Sequence, residues 1–160
     1  MHGLVEAVRY LTILPVGGRG AVAARGPGAG AAWFPVVGLG LGAVLIGVDQ
    51  LASRVFPPLL AALLTLTAWK VLTGGLHLDG LADCLDATGG RDAAHRLAIM
   101  RDSRIGAFGA LGLILLLLLE LAALAELAPP RRWRALLVVP AIGRAMPVVL
   151  ARLFPPARPG

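Results

Sequence analysis

The chain has 160 residues, of which 58% are hydrophobic and only 15% charged, and its mean hydropathy is +0.81. That apolar share exceeds what a soluble domain carries and is the composition of an integral membrane protein. At about 20 residues per crossing, the length holds about four spans and one sizeable loop, which excludes a separate soluble domain and makes one membrane domain (1–160) the natural count. The net charge of +6 rests on fourteen Arg and one Lys. It suits phosphate-bearing partners or an anionic membrane surface, and a GC-rich genome gives the same Arg bias. No nucleic-acid partner is expected. The lone Cys84 cannot form an intrachain disulfide and reads as filler.

In chain order, Leu4, Val8 and Leu11 recur at helical spacing, which predicts a short amphipathic helix at the membrane interface within 1–15, stopped by Pro15. Glu6 and Arg9 interrupt what would be the apolar core of a secretory signal. Residues 16–32 are Gly- and Ala-rich without apolar periodicity and are expected to form a mobile loop. A first span is predicted over 34–53, with Trp33 at the interface and Gly38 and Gly42 as a small-xxx-small pair for close helix packing. Pro57 and Pro58 open a second span, 57–75, in which Lys70 must snorkel or find an acid. Residues 76–105 are polar, with five Asp, four Arg and two His, and are the expected active region. A third span, 106–127, carries Glu120, and a fourth, 135–153, carries Arg144. Ionisable residues inside spans mark function by default. The expected fold is therefore an all-α polytopic transmembrane helix bundle with an Asp/Arg-rich helical loop. With the N-terminus in the cytoplasm, nine Arg fall inside and four outside (Arg54, Arg131, Arg132, Arg134), which places that loop in the cytoplasm.

The main chemical signal is Thr73-Gly74-Gly75-Leu76-His77-Leu78-Asp79-Gly80-Leu81-Ala82-Asp83-Cys84-Leu85-Asp86. On a helix turning about 100° per residue, Asp79, Asp83 and Asp86 fall within roughly 60° of one another. A solvated face usually mixes signs at this spacing, because like charges repel, yet no Lys or Arg lies within four residues. A hard cation such as Mg²⁺ or Mn²⁺ would offset the repulsion, and oxygen ligands suit it. His77 sits on a different face, where one structural hydrogen bond is the commoner role and proton acceptance from a hydroxyl the alternative. In Met100-Arg101-Asp102-Ser103-Arg104-Ile105-Gly106, Arg101 and Arg104 share a face. They suit a diphosphate or a basic collar at the third span equally well. Asp92 reads as the N-cap of a short helix carrying His95 and Arg96. Acids for a hard cation, Arg for phosphate oxygens and a membrane setting together point to phosphoryl transfer.

These residues resemble the cobalamin synthase (adenosylcobinamide-GDP ribazoletransferase) family. The likeness lies in Leu11-Thr12-Ile13-Leu14-Pro15, Phe34-Pro35-Val36-Val37-Gly38, the stretch from Gly74 to Asp83 with Asp86, and Met100 to Gly106. The resemblance implies a Mg²⁺-dependent multi-pass enzyme of the cytoplasmic (inner) membrane. Its reaction joins α-ribazole, or α-ribazole 5′-phosphate, to the cobinamide phosphate of adenosylcobinamide-GDP, with release of GMP and formation of adenosylcobalamin or its 5′-phosphate. On this sequence it implies that Asp79, Asp83 and Asp86 bind the metal and the diphosphate. Arg101, Ser103 and Arg104 are then the expected phosphate ligands, and Asp102 or His77 is expected to orient the nucleophile. Self-association is left open. Ala87 stands where the pattern expects Gly, and Glu120 where members often carry a basic residue. Members are also longer, so the chain is expected to be a C-terminally short member. Two rivals are a CDP-alcohol phosphotransferase, against which Ala82 is followed by Asp83 and not Arg, and a cation-binding transporter subunit, which predicts ion flux without nucleotide turnover.

Overall fold

The computed structural model describes residues 2–16 and 30–155. Most of the loop expected over 16–32 therefore lies outside the described residues. Among these residues seven helices follow in order: α1 His2–Leu11, α2 Phe34–Ala52, α3 Pro58–Leu72, α4 Leu76–Ala87, α5 Ala93–Ile99, α6 Ala107–Glu126 and α7 Pro129–Leu153. A 3₁₀ turn, Ala31–Trp33, leads into α2, and no strand occurs among the described residues. The fold is an all-α polytopic helix bundle.

Among the described residues, three segments are long and apolar enough to cross a bilayer: α2 with its 3₁₀ turn, α6 and α7. The second expected span differs. Helix α3 has 15 residues, about 22 Å at about 1.5 Å per residue, short of a hydrocarbon core of about 30 Å. It reaches a fourth crossing only together with α4, from which it is bent by 85°. Large apolar side chains such as Phe108, Leu111, Leu115 and Leu118 stand exposed along α6, the outward-apolar pattern that lipid requires.

The tightest packing joins α2 to α7. A Cβ on Gly38 would lie 2.6 Å from the Pro140 carbonyl and the Ala141 Cα, and one on Gly42 would meet the Leu136 carbonyl as closely. The two helices approach backbone to backbone because these positions carry no side chain, as the small-xxx-small pair predicts. Leu41, Leu45, Ala62, Leu124 and Leu136 fill the space where α2, α3, α6 and α7 meet. Helix α1 is more than an interfacial element, since Ala7 and Leu11 are buried against Val37 of α2 and the Ile13 amide donates to the Leu72 carbonyl.

Helix α7 begins at Pro129 and not near residue 135, so the Arg cluster expected in an outer loop is helical. Pro at the first turn starts the helix because its missing N–H has no partner there in any case. Arg132 is buried: its Nη1 donates to Asp49 Oδ1 at 3.1 Å and its other nitrogens to the Leu127 and Ala125 carbonyls. Trp133 Nε1 donates to Asp49 Oδ2. This clasp joins α2 to α7 at the end of the bundle away from the polar loop. Within the bundle Lys70 finds the acid its position demands, with Nζ 2.6 Å from Glu120 Oε2.

Candidate functional site

The site is built on a sharp corner. Gly74 and Gly75 both have positive φ, +59° and +72°, a conformation that costs a residue with a Cβ roughly 1–2 kcal/mol. The Gly74 and Gly75 amides close α3 onto the Val71 and Lys70 carbonyls, and the Gly75 carbonyl accepts from Leu78 and Asp79 as α4 begins. The pair thus ends one helix and starts the next across 85°, which projects the carboxylates of α4 at the mouth of the bundle.

The three carboxylates divide. Asp86 turns to α6: Oδ2 accepts from the Gly106 amide at 2.7 Å and Oδ1 from the Gly109 amide at 2.8 Å. It therefore caps the N-terminus of α6, where unpaired amides and the helix dipole both favour an anion. The approach is close enough that a Cβ on Gly106 or Gly109 would collide with the Asp86 carboxylate. Asp79 and Asp83 instead line an open cavity of about 540 Å³ with Gly74, Gly75 and the segment Met100–Ile105, which carries Arg101, Asp102, Ser103 and Arg104. Since Asp86 grips Gly106, it also fixes where that segment hangs over α4.

Within the loop, Asp102 holds Arg104 through both carboxylate oxygens, Arg104 Nη2 lying 2.6 Å from Asp102 Oδ2 and Nε 3.0 Å from Oδ1. The Arg104 side-chain and backbone hydrogen bonds push the Asp102 carboxyl down to about 2. Asp102 is thus an anion at neutral pH, able to accept a hydrogen bond and not to donate one. The Arg101 side chain has no hydrogen bond or ion pair among the described residues, so its guanidinium is free to meet a ligand. Asp92 caps α5 as its position predicts, accepting from the His95 amide at 2.8 Å.

The geometry therefore gathers Asp79, Asp83, Arg101, Asp102, Ser103 and Arg104 around one space and leaves Asp86 and His77 outside it. His77 lines a second, smaller cavity with Lys70, Glu120 and Arg144. Among the described residues no three His, Cys, Asp or Glu side chains converge as a ready-made metal site. Two carboxylates facing free volume nevertheless fit a hard cation that keeps several waters and completes its shell with substrate oxygens. Three features escaped the sequence: Asp49, its clasp with Arg132, and the corner at Gly74-Gly75. Only the glycine pair carried a signal, being two glycines directly after an apolar run.

Fold and site define a polytopic helical membrane protein with an acidic and basic cavity at one mouth of its bundle. Residues 3–160 match the family model described as Cobalamin-5-phosphate synthase, and the chain belongs to that family. Among its relatives, an adenosylcobinamide-GDP ribazoletransferase of Brevibacillus brevis is 41% identical over 124 residues, 77% of this chain and 50% of the relative. One of Chlorobium phaeobacteroides is 48% identical over 109 residues, 68% of this chain and 43% of the relative. One of Chlorobaculum tepidum is 40% identical over 159 residues, covering 99% and 61%. The chain thus spans between 43% and 61% of the length of these three curated relatives. No solved structure matches it.

Proposed function

We propose that this chain carries the catalytic cavity of an adenosylcobinamide-GDP ribazoletransferase. In this reaction a hydroxyl of α-ribazole, or of its 5′-phosphate, attacks the phosphorus bonded to cobinamide. GMP leaves, and the hydroxyl proton passes to solvent or a nearby base. One observation carries the reading: Asp79 and Asp83 face Arg101 and the Asp102–Arg104 pair across a single open cavity at the bundle mouth.

Asp79 and Asp83 are the residues to hold Mg²⁺, which when bound neutralises developing phosphate charge. Arg101 supplies planar N–H donors to phosphate oxygens, a geometry Lys does not reproduce. Arg104 has its donors engaged by Asp102, so its contribution is to lock the loop, with phosphate contact only through its remaining N–H groups. Asp102, anionic at neutral pH, orients an attacking hydroxyl by accepting its hydrogen bond. Asp86 acts through position, fixing the segment Met100–Ile105 against α4. The Arg balance between the two sides supports a cavity open to the cytoplasm.

The test is GMP release by membranes carrying this chain, supplied with adenosylcobinamide-GDP and either acceptor, with and without Mg²⁺. Release that needs the metal and falls about 100-fold or more in Asp83→Asn is expected, the scale seen when a transition-state charge loses its stabilising partner. GMP release unaffected by Asp83→Asn, or none with either acceptor, contradicts the proposal.

A further inference from the structure

The smaller cavity lies between α3, α4, α6 and α7, inward of the Gly74-Gly75 corner, and has a volume of about 150 Å³. Where one water needs about 10–15 Å³ of such space, this is ample for a phosphate-sized group. Its walls include Lys70, His77, Glu120 and Arg144. Lys70 and Glu120 neutralise one another at 2.6 Å. Arg144 is different. It is only 4% exposed, yet its side chain has no hydrogen bond and no ion pair among the described residues. Among the described residues its guanidinium lies over the Trp69 ring, whose centroid is 5.9 Å from Cζ. Stacking of that kind serves the face of a guanidinium and leaves its five N–H donors without a protein partner among the described residues, open to the cavity they line.

A buried, unpaired guanidinium is among the costliest arrangements a fold can hold, and more so among apolar spans. The missing component is an anion with several acceptor oxygens. We propose that Arg144, with Lys70 beside it, forms an oxyanion-binding subsite that takes a phosphate group in this inner cavity. The subsite is distinct from the cavity of Asp79 and Asp83, the two sharing Gly75 in their walls. It requires no chemistry at those carboxylates, so it stands or falls independently of the proposed transferase reaction. The phosphate belongs either to a soluble ligand or to a lipid headgroup.

The test is thermal unfolding of the delipidated chain in dodecyl maltoside and phosphate-free buffer, without ligand, with inorganic phosphate, and with added phosphatidylglycerol. Without ligand, Arg144→Met is expected to melt above the wild type, because it removes a buried charge that has no partner. Phosphate is expected to raise the wild-type midpoint and to bind Arg144→Met about 10- to 100-fold more weakly, the loss of one or two charge-assisted hydrogen bonds. Arg144→Lys should retain part of the response. The part of the response that Arg144→Met removes should persist in Arg101→Gln, which separates this subsite from the outer cavity. A response to phosphate identifies a soluble ligand, and a response to phosphatidylglycerol alone identifies a headgroup. No response to either, or an equal response in Arg144→Met, overturns the proposal. So does a ligand-free Arg144→Met that melts below the wild type.

Discussion

Asp86 is the carboxylate whose role separates most cleanly from that of its neighbours, and replacing it shows what holds the site in shape. It accepts two backbone amides of α6, at 2.7 and 2.8 Å, across 20 and 23 residues of chain. A hydrogen bond to a charged group contributes about 1.5–3 kcal/mol, and losing a helix N-cap costs about 0.5–2 kcal/mol. The two figures describe the same contacts and are not summed, and because Asp86 is only half-buried, Asp86→Ala is expected to cost about 2–3 kcal/mol. Asp86→Asn keeps the shape but has one acceptor oxygen, and its amide opposes the second backbone N–H, so most of that loss remains. Asp79→Asn and Asp83→Asn remove charges with no hydrogen bond among the described residues and relieve mutual repulsion, so each stays within about 0.5 kcal/mol of wild type. Unfolding in mixed micelles of dodecyl maltoside and SDS ranks the four variants. If Asp86→Asn proves no more destabilising than Asp79→Asn, the capping argument is wrong.

Further outcomes follow from other contacts. Breaking the buried Asp49–Arg132 pair from one side strands a charge. Asp49→Leu or Arg132→Met alone is therefore expected to cost about 3–5 kcal/mol, while the double variant recovers most of the loss. For Asp102 the folded value lies near 2 and the unfolded reference at 3.8. Its lowered value favours the folded loop above the unfolded pKa, and that contribution is lost as pH falls from about 3.8 through about 2. The carboxyl ¹³C shift of Asp102 should accordingly titrate near 2 in the native chain and return toward the ordinary carboxylate range in Arg104→Gln.

Local patterns in the sequence carried much of this architecture. The apolar runs of α2 and α6, the cap at Asp92, the glycine pair of α2 and the need of Lys70 for an acid each follow from a few neighbouring residues. What escaped was long-range. Asp86 sits at helical register with Asp79 and Asp83, so spacing groups all three, and only the packing of α4 on α6 reveals that its oxygens point to Gly106 and Gly109. The start of α7 was hidden because Arg131, Arg132 and Arg134 look like a loop by charge, while Asp49, the residue that makes a buried Arg132 tolerable, lies 83 positions away. The brevity of α3 was hidden too, since an apolar run does not disclose the corner that ends it. Helical spacing already sets His77 on a different face from the carboxylates, and only the packing of α4 shows that this face lines the other cavity.

The proposed reaction rests on Asp79 and Asp83 as a cation site facing a phosphate-binding loop. Electron paramagnetic resonance of Mn²⁺ added to the purified chain with GDP tests it most directly. Bound Mn²⁺ is expected in the wild type, with affinity at least about tenfold lower in Asp79→Asn and Asp83→Asn, and retained by the folded fraction of Asp86→Asn. Equal Mn²⁺ binding in wild type and Asp83→Asn, or binding abolished only by Asp86→Asn, contradicts the account.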